Sequence, residues 1–166
     1  DEKRWLIALI ADTGMRLAEG AGLLLSDFIE KDGILCVNIR PHPWRSLKTA
    51  NSARVIPLVG SSKWAAQRIL NNPVSSKFAF PNYNDGVKTN ANSASAALNK
   101  WLKTKIGQGY TIHSFRHSMR DRLRAVQCPS DVIDEIGGWL TYGVGNRYGN
   151  GYTQNILNFW VSKMII

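Results

Sequence analysis

Apolar residues recur at helical spacing in the first segment. Trp5, Leu6, Leu9 and Ile10 fall on one stripe of residues 2–13, Thr13 completes it, and Gly14 stops it. A second helix is predicted to start near Met15, with Leu17, Ala21 and Leu24 on one face. The period then changes: residues 33–40 are β-rich and are broken by Pro41 and Pro43. A further strand over 53–58 follows a polar turn at 49–52, and Lys48 stands at the entrance to that turn. The rest reads as helix. Ser61 or Ser62 caps a helix through Leu70, and Asn92 caps another that carries Ala94, Ala97, Leu98, Trp101 and Leu102. Phe115, Met119, Leu123 and Val126 stripe residues 113–127. Pro129-Ser130 opens a short helix that ends at Gly137-Gly138. Residues 140–152 are glycine-rich and irregular. The segment 155–166 is apolar, with Ile156, Leu157, Phe159, Trp160, Met164 and Ile165, so it either closes the core or docks on a partner. The predicted fold class is α+β, mainly α-helical, with a small antiparallel sheet near residues 33–58.

Composition narrows this picture. The 166 residues are 44% hydrophobic and 20% charged, ordinary for a globular chain, and they suffice for one domain over 1–166. Twenty-one Lys+Arg against 12 Asp+Glu give +9, which favours a polyanionic partner, either nucleic acid or an anionic membrane surface. No apolar run approaches the ~18–20 residues of a membrane span, and no secretory h-region is read. Cys36 and Cys128 are too few for a disulfide framework or a thiolate metal site; they read as reduced thiols of a cytoplasmic protein. The chain begins Asp1-Glu2-Lys3-Arg4 without Met and reads as a piece of a longer protein.

Four stretches carry candidate chemistry. In His113-Ser114-Phe115-Arg116-His117, His113 and Arg116 at i, i+3 share one side of a helix, opposite its apolar stripe. A zinc site on His113 and His117 lacks a third ligand, and Arg116 would oppose a divalent cation. In Thr13-Gly14-Met15-Arg16-Leu17-Ala18-Glu19, a carboxylate three residues on can orient an arginine whose planar fork suits phosphate. In Leu47-Lys48-Thr49 the lysine sits on a turn before Arg54-Val55-Ile56-Pro57-Leu58. Gly137-Gly138-Trp139 is followed nine positions later by Tyr148, whose hydroxyl needs a cationic pocket and a base to act as a nucleophile.

Together, in this order, these stretches resemble the catalytic domain of the tyrosine recombinases, the phage-type integrases. Residues 13–19 are similar to the family's T-G-x-R-x-x-E, residues 47–58 to its L-K-T…R-x-(I/V)-P-L, and residues 113–117 to H-x-(L/F)-R-H. Trp139 falls where most members have His and a minority Trp. Tyr148 keeps the usual nine-residue interval, which Tyr142 and Tyr152 do not.

The resemblance implies that Tyr148 attacks a DNA strand to give a 3′-phosphotyrosyl link and a free 5′-hydroxyl, without metal, ATP or other cofactor. Arg16 and Arg116 would clamp the phosphate, His113 and Trp139 would add hydrogen bonds, and Lys48 would protonate the leaving oxygen. Glu19 and His117 would stand behind them, with Glu19 orienting Arg16 or His113. It further implies double-stranded DNA attachment sites, a tetrameric synapse on DNA, accessory bending or excision factors, a mobile element such as a prophage in a bacterial host, and an N-terminal clamping domain elsewhere. Arg40, Arg45, Lys88, Lys100, Lys103, Lys105, Arg120, Arg122 and Arg124 are candidate phosphate contacts. In this family the segment after the nucleophile often packs on a neighbouring protomer. Type IB topoisomerase-like relaxation, or DNA binding without catalysis, are the competing readings.

Overall fold

The computed structural model describes residues 1–141 and 151–166. The chain runs α1 (Glu2–Thr13), α2 (Leu17–Ala21), β1 (Phe28–Lys31), β2 (Ile34–Ile39), β3 (Arg54–Pro57), α3 (Gly60–Leu70), α4 (Ala91–Ile106), α5 (Ile112–Ala125), α6 (Ser130–Gly137) and α7 (Gln154–Lys163). The strands form one antiparallel sheet in the order β1-β2-β3, with Phe28 opposite Val37 and Val37 opposite Ile56. Strand β1 extends the predicted sheet by one strand. It is a four-residue edge strand whose outer positions are exposed, so it carries little apolar signal. Its turn, Asp32-Gly33, has positive φ at both residues (54° and 74°), the geometry of a tight hairpin.

The helical layer is built on α1. Leu6, Leu9 and Ile10 are at most 1% exposed, and α1 packs chiefly against α3 and α5. Burial of each such side chain contributes roughly 1.5–3 kcal/mol. The fully buried Ala65 and Ala66 let α3 lie close to α1. Buried Asp12 ties the three helices together. It accepts from Arg122 Nη1 on α5 (2.9 Å) and from the Ser61 backbone N–H at the start of α3 (2.7 Å).

Three helix starts differ from expectation, each for a local reason. Helix α2 begins at Leu17, not Met15, because Arg16 is extended (ψ 150°) and its N–H donates to Glu19 Oε2 (2.8 Å). Helix α4 is capped by Asn90, not Asn92: the Asn90 side-chain oxygen Oδ1 accepts the Ser93 N–H (3.1 Å). Helix α3 starts at Gly60, and Ser62 inside its first turn accepts the Val59 N–H (3.0 Å). At the chain's end, Leu157, Val161 and Met164 bury against the body of the domain, while Ile156 and Phe159 face outward. No described helix is long and apolar enough to cross a membrane.

The turn after α1 sets up the site. Gly14 takes a left-handed φ of 63°, and a Cβ there would lie 2.2 Å from Met119 Cε. Only glycine lets the chain turn sharply while touching α5, which delivers Arg16 beside that helix.

Candidate active site

Glu19 lies at the centre of the site and is 2% exposed. Its carboxylate accepts from two guanidinium groups, Arg16 Nη1 at 3.1 Å and Arg54 Nη2 at 3.1 Å, besides the Arg16 N–H. Burial pushes its pKa up, but Arg54 and Arg16 overcome that and hold it below the ordinary carboxylate value. Arg16 also donates to Ser52 Oγ (3.0 Å), so its stem is fixed while about a quarter of the side chain stays open to solvent.

Arg116 is 3% exposed. Its Nη1 donates to the Gly14 carbonyl (2.6 Å), while its buried Nη2 has no hydrogen-bond partner among the described residues. The shared projection predicted for Arg116 and His113 holds only for His113, which is exposed at the first turn of α5, whereas Arg116 turns inward. Burial, then Arg16 and Arg54, lower the Arg116 pKa to about 10, so it stays protonated at neutral pH. The indole of Trp139 lies against two cations, 4.2 Å from the Arg116 guanidinium carbon and 4.7 Å from that of Arg120. Its turn requires glycine, since a Cβ at Gly137 would strike the indole at 1.9 Å.

His113 packs edge-on to His117, with ring centroids 4.9 Å apart. Burial first, then His117, Arg116, Arg16 and Lys48, lower the His113 pKa below the ordinary imidazole value. Arg16, Lys48, Arg116 and His117 are thus all near enough to act on His113 electrostatically. No group of three or more His, Cys, Asp or Glu placed to hold a metal ion occurs among the described residues.

Lys48 is exposed. It sits on the long connection between β2 and β3 rather than on a tight turn. The base of that connection is pinned by fully buried Asp27, which accepts from Arg40 Nε (2.8 Å) and lies 2.8 Å from His42 Nε2. Trp44 holds it further by donating to the Gly22 carbonyl (3.0 Å).

Arg45 corrects an expectation. Predicted as a phosphate contact, it is 5% exposed and spends its guanidinium on the carbonyls of Glu19 (2.5 Å) and Arg40 (2.6 Å). Arg122 is likewise engaged with Asp12, and Arg40 is half-exposed but tied to Asp27. Lys88, Lys100, Lys103, Lys105 and Arg124 are exposed, and Arg120 is half-buried on Trp139.

Arg54 belongs to the R-x-(I/V)-P-L stretch, but the motif alone gives it no role in the site. The available signal was alternation: Arg54 and Ile56 share one face of β3, and both are buried. Tyr148, the predicted nucleophile, lies outside the described residues. Tyr152 is described: its hydroxyl donates to Asp131, and its N–H reaches both Glu135 oxygens at 3.1 Å. The Asp131 hydrogen bond, with burial, raises its pKa to about 12.

Known proteins share this fold. The integrase of the Tn1549 transposon, solved with circular-intermediate DNA, superposes with a TM-score of 0.56 at 17% identity over 85% of this chain and 55% of that one. The same integrase with transposon right-end DNA gives 0.55 at 20% identity, over 88% and 54%. The XerH site-specific recombinase bound to difH in a pre-cleavage complex gives 0.52 at 20% identity, over 94% and 42%. The chain thus spans about half the length of these structures or less, and the likeness shows a shared fold, that of the tyrosine recombinase catalytic domain. No curated protein gives a significant match. The family model described as "Phage integrase family" matches residues 2–154, nearly the whole chain. The chain belongs to the phage integrase family of tyrosine recombinases.

Proposed function

We propose that this chain is the catalytic domain of a site-specific DNA recombinase that cleaves and rejoins strands through a 3′-phosphotyrosyl intermediate on Tyr148. The observation that carries this reading is the cation cluster. Arg16 before α2, Lys48 on the β2–β3 connection, and His113 and Arg116 on α5 bring charge together from three separate stretches of chain, and buried Arg116 Nη2 has no acceptor among the described residues. Family membership and the +9 charge support DNA as the polyanion.

In the reaction proposed, the Tyr148 oxygen bonds to phosphorus as the bond to the 5′-oxygen breaks. Negative charge grows on the non-bridging oxygens, and Arg16 and Arg116 are placed to meet it. The Trp139 indole N–H adds a donor. Neutral His113 accepts the tyrosine proton, and Lys48 gives a proton to the departing 5′-oxygen. A 5′-hydroxyl then reverses the step, so the phosphodiester energy is kept in the protein link. Two guanidinium groups supply the charge neutralisation that a divalent ion supplies elsewhere, which is the basis for proposing metal and ATP independence. The DNA sites, the assembly of protomers into a tetrameric synapse and a role in moving a phage or other mobile element belong to the same proposal.

The test is a nicked suicide substrate carrying the attachment site, incubated with the protein in EDTA. A covalent protein–DNA adduct resistant to denaturant is expected, and no adduct, or one that requires added divalent ion, overturns the reading. Relaxation of supercoiled plasmids lacking any cognate site would instead mark topoisomerase action.

The lowered His113 pKa gives a second expectation. The fold favours the neutral imidazole, so protonation, and loss of the base, comes later as pH falls. The acid limb of kcat/KM for adduct formation should therefore lie below pH about 6.5, and His113→Gln should remove it. A limb centred above neutrality would contradict this assignment.

A further inference from the structure

We propose that Arg54 is a positioning residue for the phosphodiester site, a buried guanidinium that locks Glu19, the Lys48 connection and the Trp139 turn into one frame and keeps Arg16 free to meet the phosphate. This inference rests on the function proposed above and assigns a role within it.

Arg54 has 4% of its side chain exposed, and its fork is almost fully used. Nε donates to the Ile136 carbonyl in the last turn of α6 (2.8 Å), just before Gly138 and Trp139. Nη1 donates to the Ser52 carbonyl (2.5 Å), at the β3 end of the connection that carries Lys48. Nη2 donates to Glu19 Oε2 (3.1 Å), and Nη1 lies 3.4 Å from Oε1. Gly138, in a left-handed turn at φ 69°, lies directly on the guanidinium; a Cβ there would lie 2.7 Å from Nη1. Three site segments that are distant in sequence thus meet on one side chain.

The consequence for Arg16 is electrostatic. Its two anchors are Glu19 and Ser52 Oγ, and Arg54 holds both residues. With Arg54 in place, one carboxylate is divided between two guanidinium groups. Without it, the whole charge of Glu19 would fall to Arg16, in a buried setting where such pairing is strong. Arg16 would then close onto Glu19 as a private ion pair and withdraw from the phosphate. The fork geometry is what a lysine at this position could not reproduce.

The experiment measures single-turnover adduct formation on the suicide substrate with wild type, Arg54→Met, Arg54→Lys, Glu19→Gln and the Arg54→Met/Glu19→Gln double variant. The amplitude counts competent molecules, and the rate constant reports the chemistry. A merely structural residue lowers the amplitude alone. For Arg54→Met the rate constant should fall by about 10²-fold, the scale of a misplaced reacting group. Arg54→Lys should recover only part of this, and affinity for uncleaved DNA should change little. In the Glu19→Gln background Arg54→Met should cost much less, because the competing carboxylate charge is gone. A wild-type rate constant in Arg54→Met, or a loss confined to amplitude, overturns the proposal. An NMR titration of the Glu19 carboxyl gives a readout independent of cleavage. Its pKa should rise in Arg54→Met, and an unchanged titration counts against the proposal. If the wild type forms no adduct, the proposed function fails, and the titration still decides whether Arg54 governs Glu19.

Discussion

Arg116→Met should lower the rate of covalent adduct formation by about 10³-fold or more while the domain stays folded. The rate loss follows from what the side chain offers. A guanidinium that is protonated at neutral pH sits near Arg16, with Nη1 already held by the Gly14 carbonyl and Nη2 without an acceptor among the described residues. Such preorganised donors act where charge develops and need no reorganisation as it does. The folding side points the other way. Arg116 is buried among the cations Arg16, Arg54 and Arg120, each of which lowers its pKa. Removing it relieves that repulsion, and methionine keeps a flexible apolar stem against Trp139, offsetting the lost bond to Gly14. The melting temperature should therefore shift by only a few degrees. The measurement pairs single-turnover cleavage with thermal melting. A variant that cleaves within about tenfold of wild type, a loss of only ~1.4 kcal/mol, would remove Arg116 from the chemistry.

Tyr148→Phe should abolish the adduct, and Tyr152→Phe should leave it intact. The contrast rests on Tyr152. Its hydroxyl proton is held by Asp131 and its pKa is pushed up to about 12, so it is far from the phenolate that attack requires. Its backbone is further fixed to Glu135, and a Cβ at the preceding Gly151 would lie 2.6 Å from Glu135 Oε1. Phenylalanine at 152 loses one hydrogen bond to a half-buried carboxylate, a stability cost of about 1–2 kcal/mol. Peptide mapping of the DNA-linked fragment identifies the modified tyrosine directly. An adduct on Tyr152, or one that survives Tyr148→Phe, would reverse the assignment.

The parts of this molecule that could be read from sequence are those in which local chemistry and tertiary role coincide. Helices α1, α5 and α6 were legible because an apolar stripe ends at a glycine or a cap that stops the helix. Strand β1 was not, since residues 28–31 have little apolar face and only Asp32-Gly33 marks the turn. The start of α2 was misplaced because Met15 is buried for packing, not for helix, and the Glu19 side chain caps the backbone at Arg16. In the site, Arg16, Lys48, His113 and Trp139 are singled out in the sequence by the family resemblance, not by any one local pattern. The burial of Arg116 and Arg45 was not legible, because nothing local shows that backbone carbonyls wait for their guanidinium groups. Arg54 was visible only as a charge in a buried strand register. Its partners, Glu19 and Ile136, are 35 and 82 residues away, a separation that no local pattern carries.

The Gly14 carbonyl gives the two arginines of the site different characters. Helix α1 has no basic residue in its last turn, so the negative end of its dipole, about half an elementary charge, is left for another element to use. Arg116 meets it from α5. One arginine is therefore solvated by a helix end, whose partial charge cannot be protonated away. The other is solvated by a carboxylate that it must share. The first is a constant of the fold, and the second is tunable through Glu19. An acidic shift that protonates Glu19 would release Arg16 and leave the grip of Arg116 as it was.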